Sequence, residues 1–251
     1  MIAAVGVVVP AHNEQDGIVA CLHNLQRALQ RLPAGTAAAV TVVLDRCTDR
    51  TPDRVASVIA DWPQAEAVVA RDTLPRPRGP RVVGAGSGVD VGSLRSLGLR
   101  RALDRLRPHP AERIWLLSTD ADSTVPPDWA CAHLRLAAAG AHGVAGLADL
   151  AGGAHLTPEA LRRYQAIVAR GLHGRRHEHV YAANLGFRAD AYLAVGGFPI
   201  QGPGEDHGLW RLMAAAGYRL EHPSTLRVQT SARLRGRADG GLADLLRSLH
   251  T

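Results

Sequence analysis

Lysine is missing from the 251 residues, and all 29 of the Lys and Arg positions are arginine. Chemistry that depends on a lysine is thereby excluded: a P-loop nucleotide hydrolase, a Schiff-base enzyme, a pyridoxal enzyme. Cysteine is scarce. Cys21, Cys47 and Cys131 stand alone with no CxxC spacing, which argues against a cysteine-built zinc site and fits a reducing, cytoplasmic setting. No uninterrupted apolar run reaches about 18 residues, so no transmembrane helix is expected. The apolar N-terminal stretch has no basic leader and no small-residue cleavage signal, and it reads as a buried strand. Aromatic residues make up only 4%, too few for a nucleic-acid stacking platform despite a net charge of +6. What remains is ordinary globular material, 46% apolar and 21% charged, with no internal repeat and no clear linker. One domain over 1–251 is expected. The positive charge favours anionic partners, and arginine suits bidentate contacts to phosphate.

The chain alternates between two periodicities. Ile2 to Val9 is a short apolar run of the kind found in buried parallel strands. Asn13-Glu14-Gln15-Asp16 is expected to open a helix, whose apolar positions Ile18, Leu22, Leu25 and Leu29 recur every three or four residues. Val40 to Leu44 predicts a second strand, the segment with Pro52 and Val55 a second helix, and Ala65 to Ala70 a third strand. This strand–helix–strand alternation predicts an α/β fold with a mostly parallel central sheet flanked by helices. Residues 71–92 are dominated by Arg, Pro and Gly and predict a long loop, a candidate lid. A helix over Val91–Leu106 and a buried strand over Arg113–Ser118 follow. Pro126 and Pro127 are expected to start a helix, Pro158–Arg170 and Ala189–Val195 to form two more, and Gly204-Glu205-Asp206 to open another. His177-Glu178-His179 reads as a solvated loop. The tail beyond Arg227 is basic and ends in a short helix.

Four groups of residues carry chemistry. Asp120-Ala121-Asp122 follows the apolar run Ile114-Trp115-Leu116-Leu117. In open α/β sheets, ligands bind beyond the carboxyl ends of the strands. Two carboxylates there suit a hard divalent cation that also holds phosphate, or, more blandly, a helix cap and a surface acid. Asp45 ends the second strand and can read a base or ribose, whereas Asp49 is the better candidate for a simple cap. Glu205-Asp206 lies at a helix start, where acids complement the dipole, but either can act as a general base. Arg95 follows the loop and can clamp a diphosphate. Gly84-x-Gly86-x-Gly88 lies far from a strand–helix junction and does not form a dinucleotide fingerprint.

The order of these segments resembles the family 2 glycosyltransferases of the GT-A fold. Pro10-Ala11-His12-Asn13-Glu14 is similar to the family's first motif, and Asp45 to Thr51 to its Asp-rich second loop. The helix bearing Arg95 is similar to its Ala-Arg-Asn helix, and Asp120-Ala121-Asp122 to its metal-binding DxD. Ala183 to Arg188, Gly196-Gly197-Phe198 and Glu205-Asp206 are similar to the region of its Glu-Asp pair.

The resemblance, which spans about residues 5–215, implies a role for each site. Pro10, Ala11, His12 and Glu14 would line a nucleoside pocket, and Asp45 would read the base. Arg95 and Asp120 would contact the donor, and Asp120 and Asp122 would hold Mg2+ or Mn2+. Asp206, or alternatively Glu205, would be the catalytic base. The implied reaction moves a sugar from a nucleoside-diphosphate sugar to an acceptor hydroxyl with inversion. Residues 1–125 would bind the donor, 126–226 would carry the acceptor side and the base, and 227–251 would form a basic tail. In that tail Arg233 and Arg237 could fold onto the diphosphate or an anionic acceptor, or simply form a solvated basic tail. Leu44, Arg46, Cys47 and Ser96 depart from the family pattern. The Arg-rich segments could make peripheral membrane contact. The rival reading is a non-catalytic nucleotide-sugar-binding or scaffold protein on a degenerate fold.

Overall fold

The structure, a computed structural model, describes residues 1–70, 90–152, 156–199, 204–234, 236 and 241–250. The expected loop falls largely on 71–89 and, with the Gly84-Gly86-Gly88 triplet, Arg235 and Arg237, lies outside the described residues.

The first 70 residues alternate as read from the sequence: β1 (Ala4–Ala11), α1 (Ile18–Gln30), β2 (Ala37–Leu44), α2 (Thr51–Ile59) and β3 (Ala65–Val69). Next come α3 (Val91–Arg105), β4 (Ile114–Ser118), β5 (Ser123–Thr124) and α4 (Trp129–Ala138). The remainder comprises β6 (Gly143–Ala145), β7 (Leu147–Ala151), α5 (Pro158–Arg170), β8 (Leu172–His173), β9 (Arg176–His177), β10 (Leu185–Arg188), α6 (Ala189–Ala194), α7 (Glu205–Ala215), β11 (Leu220–Glu221), β12 (Arg227–Ser231) and α8 (Leu242–Ser248). Seven strands form the main sheet in the order β11-β6-β10-β4-β1-β2-β3. Its pairings are parallel except at β10, which runs antiparallel to both β4 and β6. A smaller sheet of order β5-β12-β7 packs at the site end.

Alternation along β1 divides the core into two layers. Val5, Val7 and Val9 face a layer with Ile18, Leu22 and Leu25 of α1, Val55 of α2 and Trp129 of α4. Ala4 and Val8 face the other, with Leu94, Leu97 and Leu99 of α3 and Leu209 and Met213 of α7. Full burial of each such side chain contributes roughly 1.5–3 kcal/mol. Gly98 lets α3 rest directly on the sheet. A Cβ there would stand 2.3 Å from Val8 Cγ2 and 2.9 Å from Val43 Cγ2. That close approach sets Arg95, one turn earlier on α3, at the carboxyl end of the strands.

Several sequence expectations need correction. Residues 13–16 do not open the helix, because Asn13 adopts a left-handed backbone (φ 53°) and α1 begins at Ile18. The Asn13 side chain is used elsewhere: its Oδ1 accepts the N–H groups of Thr48 (2.7 Å) and Asp49 (3.3 Å). This is the local competition between an Asn side chain and helix formation. Pro126 and Pro127 precede a turn, and the helix starts at Trp129. His177 is not solvated. It is 3% exposed, with its ring edge-on to His222 and stacked on His179.

Candidate active site

The site lies at the carboxyl ends of β1, β2 and β4, closed on one side by α7 and on another by the chain after β12. Parallel strands bring Ala11 beside Leu44, so the turns after β1 and β2 interlock. His12 Nδ1 lies 2.6 Å from the Asp45 carbonyl oxygen. Thr51 Oγ1 accepts the Glu14 N–H at 2.7 Å. Asp49 accepts the Gln15 N–H and both the N–H and hydroxyl of Thr51, the capping role expected for it. The Asp45 side chain is buried and paired with its neighbour. Arg46 donates from Nε to both carboxylate oxygens (3.0 Å each) and from Nη2 at 2.7 Å. Arg46 holds a left-handed backbone (φ 45°), a conformation that non-glycine residues seldom adopt and that clusters at functional sites. Pro10 and Ala11 complete this corner as the last residues of β1.

Arg95 is the centre of the second group. Only 3% exposed, it donates from Nη1 to Ser118 Oγ (2.7 Å), from Nη2 to Asp120 Oδ1 (2.6 Å) and from Nε to Glu205 Oε1 (3.2 Å). One guanidinium thus ties the end of β4 to the start of α7. Burial acts to lower the Arg95 pKa, but Asp120 and Glu205 outweigh it and hold the charge. Burial raises the Glu205 carboxyl, with Arg95 opposing. Gly92 permits the close approach of α3 to α7, since a Cβ there would meet Glu205 Cβ at 3.1 Å and the Pro199 carbonyl at 2.8 Å.

Arg233 forms the third group. Its Nη1 and Nη2 grip the Glu14 carboxylate at 2.8 and 2.9 Å, and Nη2 also lies 3.1 Å from Asp122 Oδ2. Burial first, then the charges of Asp120 and Glu14, push the Asp122 carboxyl up to about 6, against the pull of Arg233. The accumulated negative charge of Glu14, Asp120 and Asp122 also raises the buried Cys21 thiol, after the larger effect of burial.

Asp206 differs from its neighbour. Its Oδ2 accepts the Ala182 N–H at 3.0 Å and its Oδ1 the His207 N–H at 2.7 Å, and the residue is half-buried. Glu205 pairs with Arg95, whereas among the described residues the hydrogen-bond donors to Asp206 are backbone N–H groups that orient it. Ala182 opens the short turn Ala182–Asn184 that leads into β10. The side chain of Asn184 fastens this turn to the smaller sheet. It donates to the carbonyls of Leu147 (2.9 Å) and Leu226 (3.2 Å), and its Oδ1 accepts the Trp129 indole N–H (2.8 Å).

The structure therefore brings these residues into two ion clusters, Arg95 with Asp120 and Glu205 and Arg233 with Glu14 and Asp122, with Asp206 next to Glu205 in the chain. Pro10, Ala11, His12 and Asp45 form an adjoining corner. Ser118 and the Ala182 N–H were not singled out from sequence. The only signal for Ser118 was its place two residues before Asp120. The Arg46–Asp45 pair had a signal in the departure of Arg46 from the family pattern. Among the described residues, no group of three or more His, Cys, Asp or Glu side chains is placed to hold a metal on its own. The donor set still fits a hard divalent cation of the kind held by one or two carboxylates together with substrate phosphate. Asp122 and Asp120 supply hard oxygen atoms, and the excess carboxylate charge favours a cation.

The sequence profile of glycosyl transferase family 2 matches residues 6–175. The chain belongs to that family. No curated protein matches the chain significantly. Solved structures with the same fold include the mannosyltransferase PcManGT from Pyrobaculum calidifontis in complex with GDP-Man and Mn2+. It shows 20% identity and a TM-score of 0.58 over 92% of this chain and 58% of its own. TarS residues 1–349 from S. aureus, in complex with UDP, shows 14% identity and a TM-score of 0.58 over 93% and 61%. GalNAc-T7 with UDP, GalNAc and Mn2+ shows 15% identity and a TM-score of 0.64 over 96% and 46%. The chain spans between about half and three fifths of the length of these neighbours. The fold they share is the GT-A arrangement of this family. Among the described residues no helix is long and apolar enough to cross a membrane.

Proposed function

We propose that the protein transfers a sugar from a nucleoside-diphosphate sugar to an acceptor hydroxyl, with inversion at the anomeric carbon. The observation that carries this reading is the Arg95 bridge. By holding Asp120 and Glu205 on one guanidinium, it fastens the start of α7, which carries Asp206, to the chain that leaves β4. Residues 1–125 bind the donor in this reading, 126–226 form the acceptor side with the base, and 227–251 form the basic tail. The corner of Pro10, Ala11, His12 and Asp45 receives the nucleoside. Asp122, with Asp120, would hold Mg2+ or Mn2+. Such a cation supplies neutralisation of the leaving diphosphate. The mannosyltransferase and GalNAc-T7 complexes, each with Mn2+, support that assignment.

Asp206 is the general base. Backbone N–H groups fix its carboxylate, and it accepts the proton of the acceptor hydroxyl as that oxygen attacks the anomeric carbon. The bond from that carbon to the diphosphate oxygen breaks on the opposite face, so configuration inverts and the nucleoside diphosphate departs with its electron pair. Glu205 is a positioning residue in this reading, since its Oε1 accepts from the buried Arg95. In this reading the enzyme works in a reducing, cytoplasmic setting, in keeping with its free cysteines. Surface arginines permit peripheral membrane contact.

The test is thermal stabilisation by UDP-, GDP-, dTDP- and CDP-sugars with and without Mn2+, followed by donor turnover. One nucleotide should raise the melting temperature in a metal-dependent way, because a ligand stabilises the state it binds. Asp206→Asn should keep that shift and lose roughly 10²-fold or more in transfer. A protein that no nucleotide stabilises would overturn the donor site, and full activity in Asp206→Asn would overturn the base.

A further inference from the structure

Arg233 reaches the site from the far end of the chain, and its placement is built rather than incidental. β12 pairs antiparallel with β5, placing Thr230 opposite Ser123 and Gln229 opposite Thr124. Ser123 Oγ donates to Thr230 Oγ1 at 2.9 Å within this buried pair. Ser123 directly follows Asp122, so the strand that delivers Arg233 is registered on the residue next to the DxD. The side chain of Arg233 is 29% exposed, at the rim of the site, while its partners Glu14 and Asp122 are 8% and 15% exposed.

The charge arrangement gives this contact a consequence. Arg95 is divided between Asp120 and Glu205, and Arg233 between Glu14 and Asp122. A divalent cation on Asp122 would share that carboxylate with a guanidinium 3.1 Å from Oδ2. Two cations contend for one carboxylate. A diphosphate brings further negative charge to a cluster already rich in carboxylates. It needs the cation and a guanidinium together, and a guanidinium can present one edge to a carboxylate and another to phosphate.

We infer that Arg233 is a diphosphate-binding residue stored on Glu14 and Asp122, and that a divalent cation entering at Asp122 releases it toward the donor. This rests on the cation site proposed above. Glu14 keeps hold of one edge of the guanidinium, while the edge on Asp122 turns to the phosphate oxygens. Cation and nucleoside diphosphate then bind cooperatively, each removing a cost that the other would face. A purely structural ion pair makes the opposite prediction, since its loss would weaken both ligands or neither.

The experiment compares the full chain with Arg233→Met, Arg233→Lys and Asp122→Ala. Binding of Mn2+ alone is read from the electron paramagnetic resonance of the free ion. Binding of UDP and GDP with saturating Mn2+ is read by calorimetry. Without its competitor, Arg233→Met should bind Mn2+ alone about tenfold more tightly, because every molecule is then competent. It should bind the preferred nucleoside diphosphate at least roughly tenfold more weakly, as expected for a lost charge-assisted contact. Arg233→Lys keeps the charge without the fork, should fold if the Met variant does not, and should lie between wild type and Met in both readings. Mn2+ binding that depends on Asp122 but is unchanged or weakened in both Arg233 variants overturns the storage role alone. An unchanged nucleotide affinity in both overturns the diphosphate role. Mn2+ binding indifferent to Asp122→Ala overturns this inference together with the cation site it rests on.

Discussion

Replacing Arg95 with Met removes a buried cation that links the end of β4 to the start of α7. Breaking a buried ion pair by deleting one partner costs about 3–5 kcal/mol, because the surviving charge is left in a dry environment. The two carboxylates served by Arg95 are not equally dry. The Asp120 side chain is 33% exposed and water takes over part of the guanidinium's role there. The Glu205 side chain is 8% exposed and has no such recourse. The expected loss is therefore near the lower bound, about 3 kcal/mol at pH 7.5. The pH dependence has a definite sign. Burial already raises the Glu205 carboxyl, and loss of the opposing Arg95 raises it further. A carboxyl whose pKa is higher folded than unfolded favours folding at low pH, and that contribution is lost as pH rises. The stability deficit of Arg95→Met should accordingly be smaller at pH 5 than at pH 7.5. Urea unfolding followed by circular dichroism at both pH values provides the assay. The double variant Arg95→Met/Glu205→Gln should recover part of the loss, as coupled partners do. A deficit under about 1 kcal/mol at pH 7.5, or one identical at the two pH values, would refute the bridge as a buried ion pair.

Two further predictions follow from polar groups in the core. Asn184→Leu leaves the Trp129 indole N–H and the carbonyls of Leu147 and Leu226 without this partner. At about 1–3 kcal/mol per buried group the loss should reach at least ~3 kcal/mol in a denaturation midpoint, and a change within experimental error would dismiss the clamp. His133 is fully buried, and that burial lowers its pKa to about 3, with Asn184 opposing weakly. Its imidazole binds a proton more readily unfolded than folded, so stability is intact above about pH 6.5 and falls below it, by up to ~1.4 kcal/mol per pH unit. His177, lowered to about 4 mainly by burial, adds to the same trend. Melting temperatures should drop between pH 6.5 and 4.5, and the drop should be shallower in His133→Phe. Equal slopes would show that His133 is not the titrating group.

The first three strands were legible because buried parallel strands and amphipathic helices leave opposite periodicities in the sequence. The acidic positions were legible because strand ends are where this architecture binds ligands. The direction of β10 was not legible, since Leu185–Arg188 is only four residues long and its pairing is set by β4 and β6, far off in sequence. Asn13 misled because its helix-start composition serves a side-chain clamp on residues 48 and 49. His177 misled because polarity predicts exposure, whereas its ring is covered by His222, itself packed on Trp210. The arginines show the limit most clearly. Arg95 stood out by its place on the helix after the loop and Arg233 by its place in the basic tail, but their partners, Ser118, Asp120 and Glu205 for one and Glu14 and Asp122 for the other, lie far off in sequence and are seen only in the fold.

The reversed strand β10 has a consequence for how such an enzyme diversifies. Leu185 lies opposite Ser118, so the chain arriving at β10 meets the chain leaving β4 at the same rim of the sheet. The proposed donor side is thus assembled from strand exits and the proposed acceptor side from a strand entrance. The segment before β10 takes no part in the pairing of β1, β2 and β4, so changes in it would leave their register intact. If the proposed halves hold, the donor side can stay fixed on its parallel strands while the side entered through β10 varies from one relative to another.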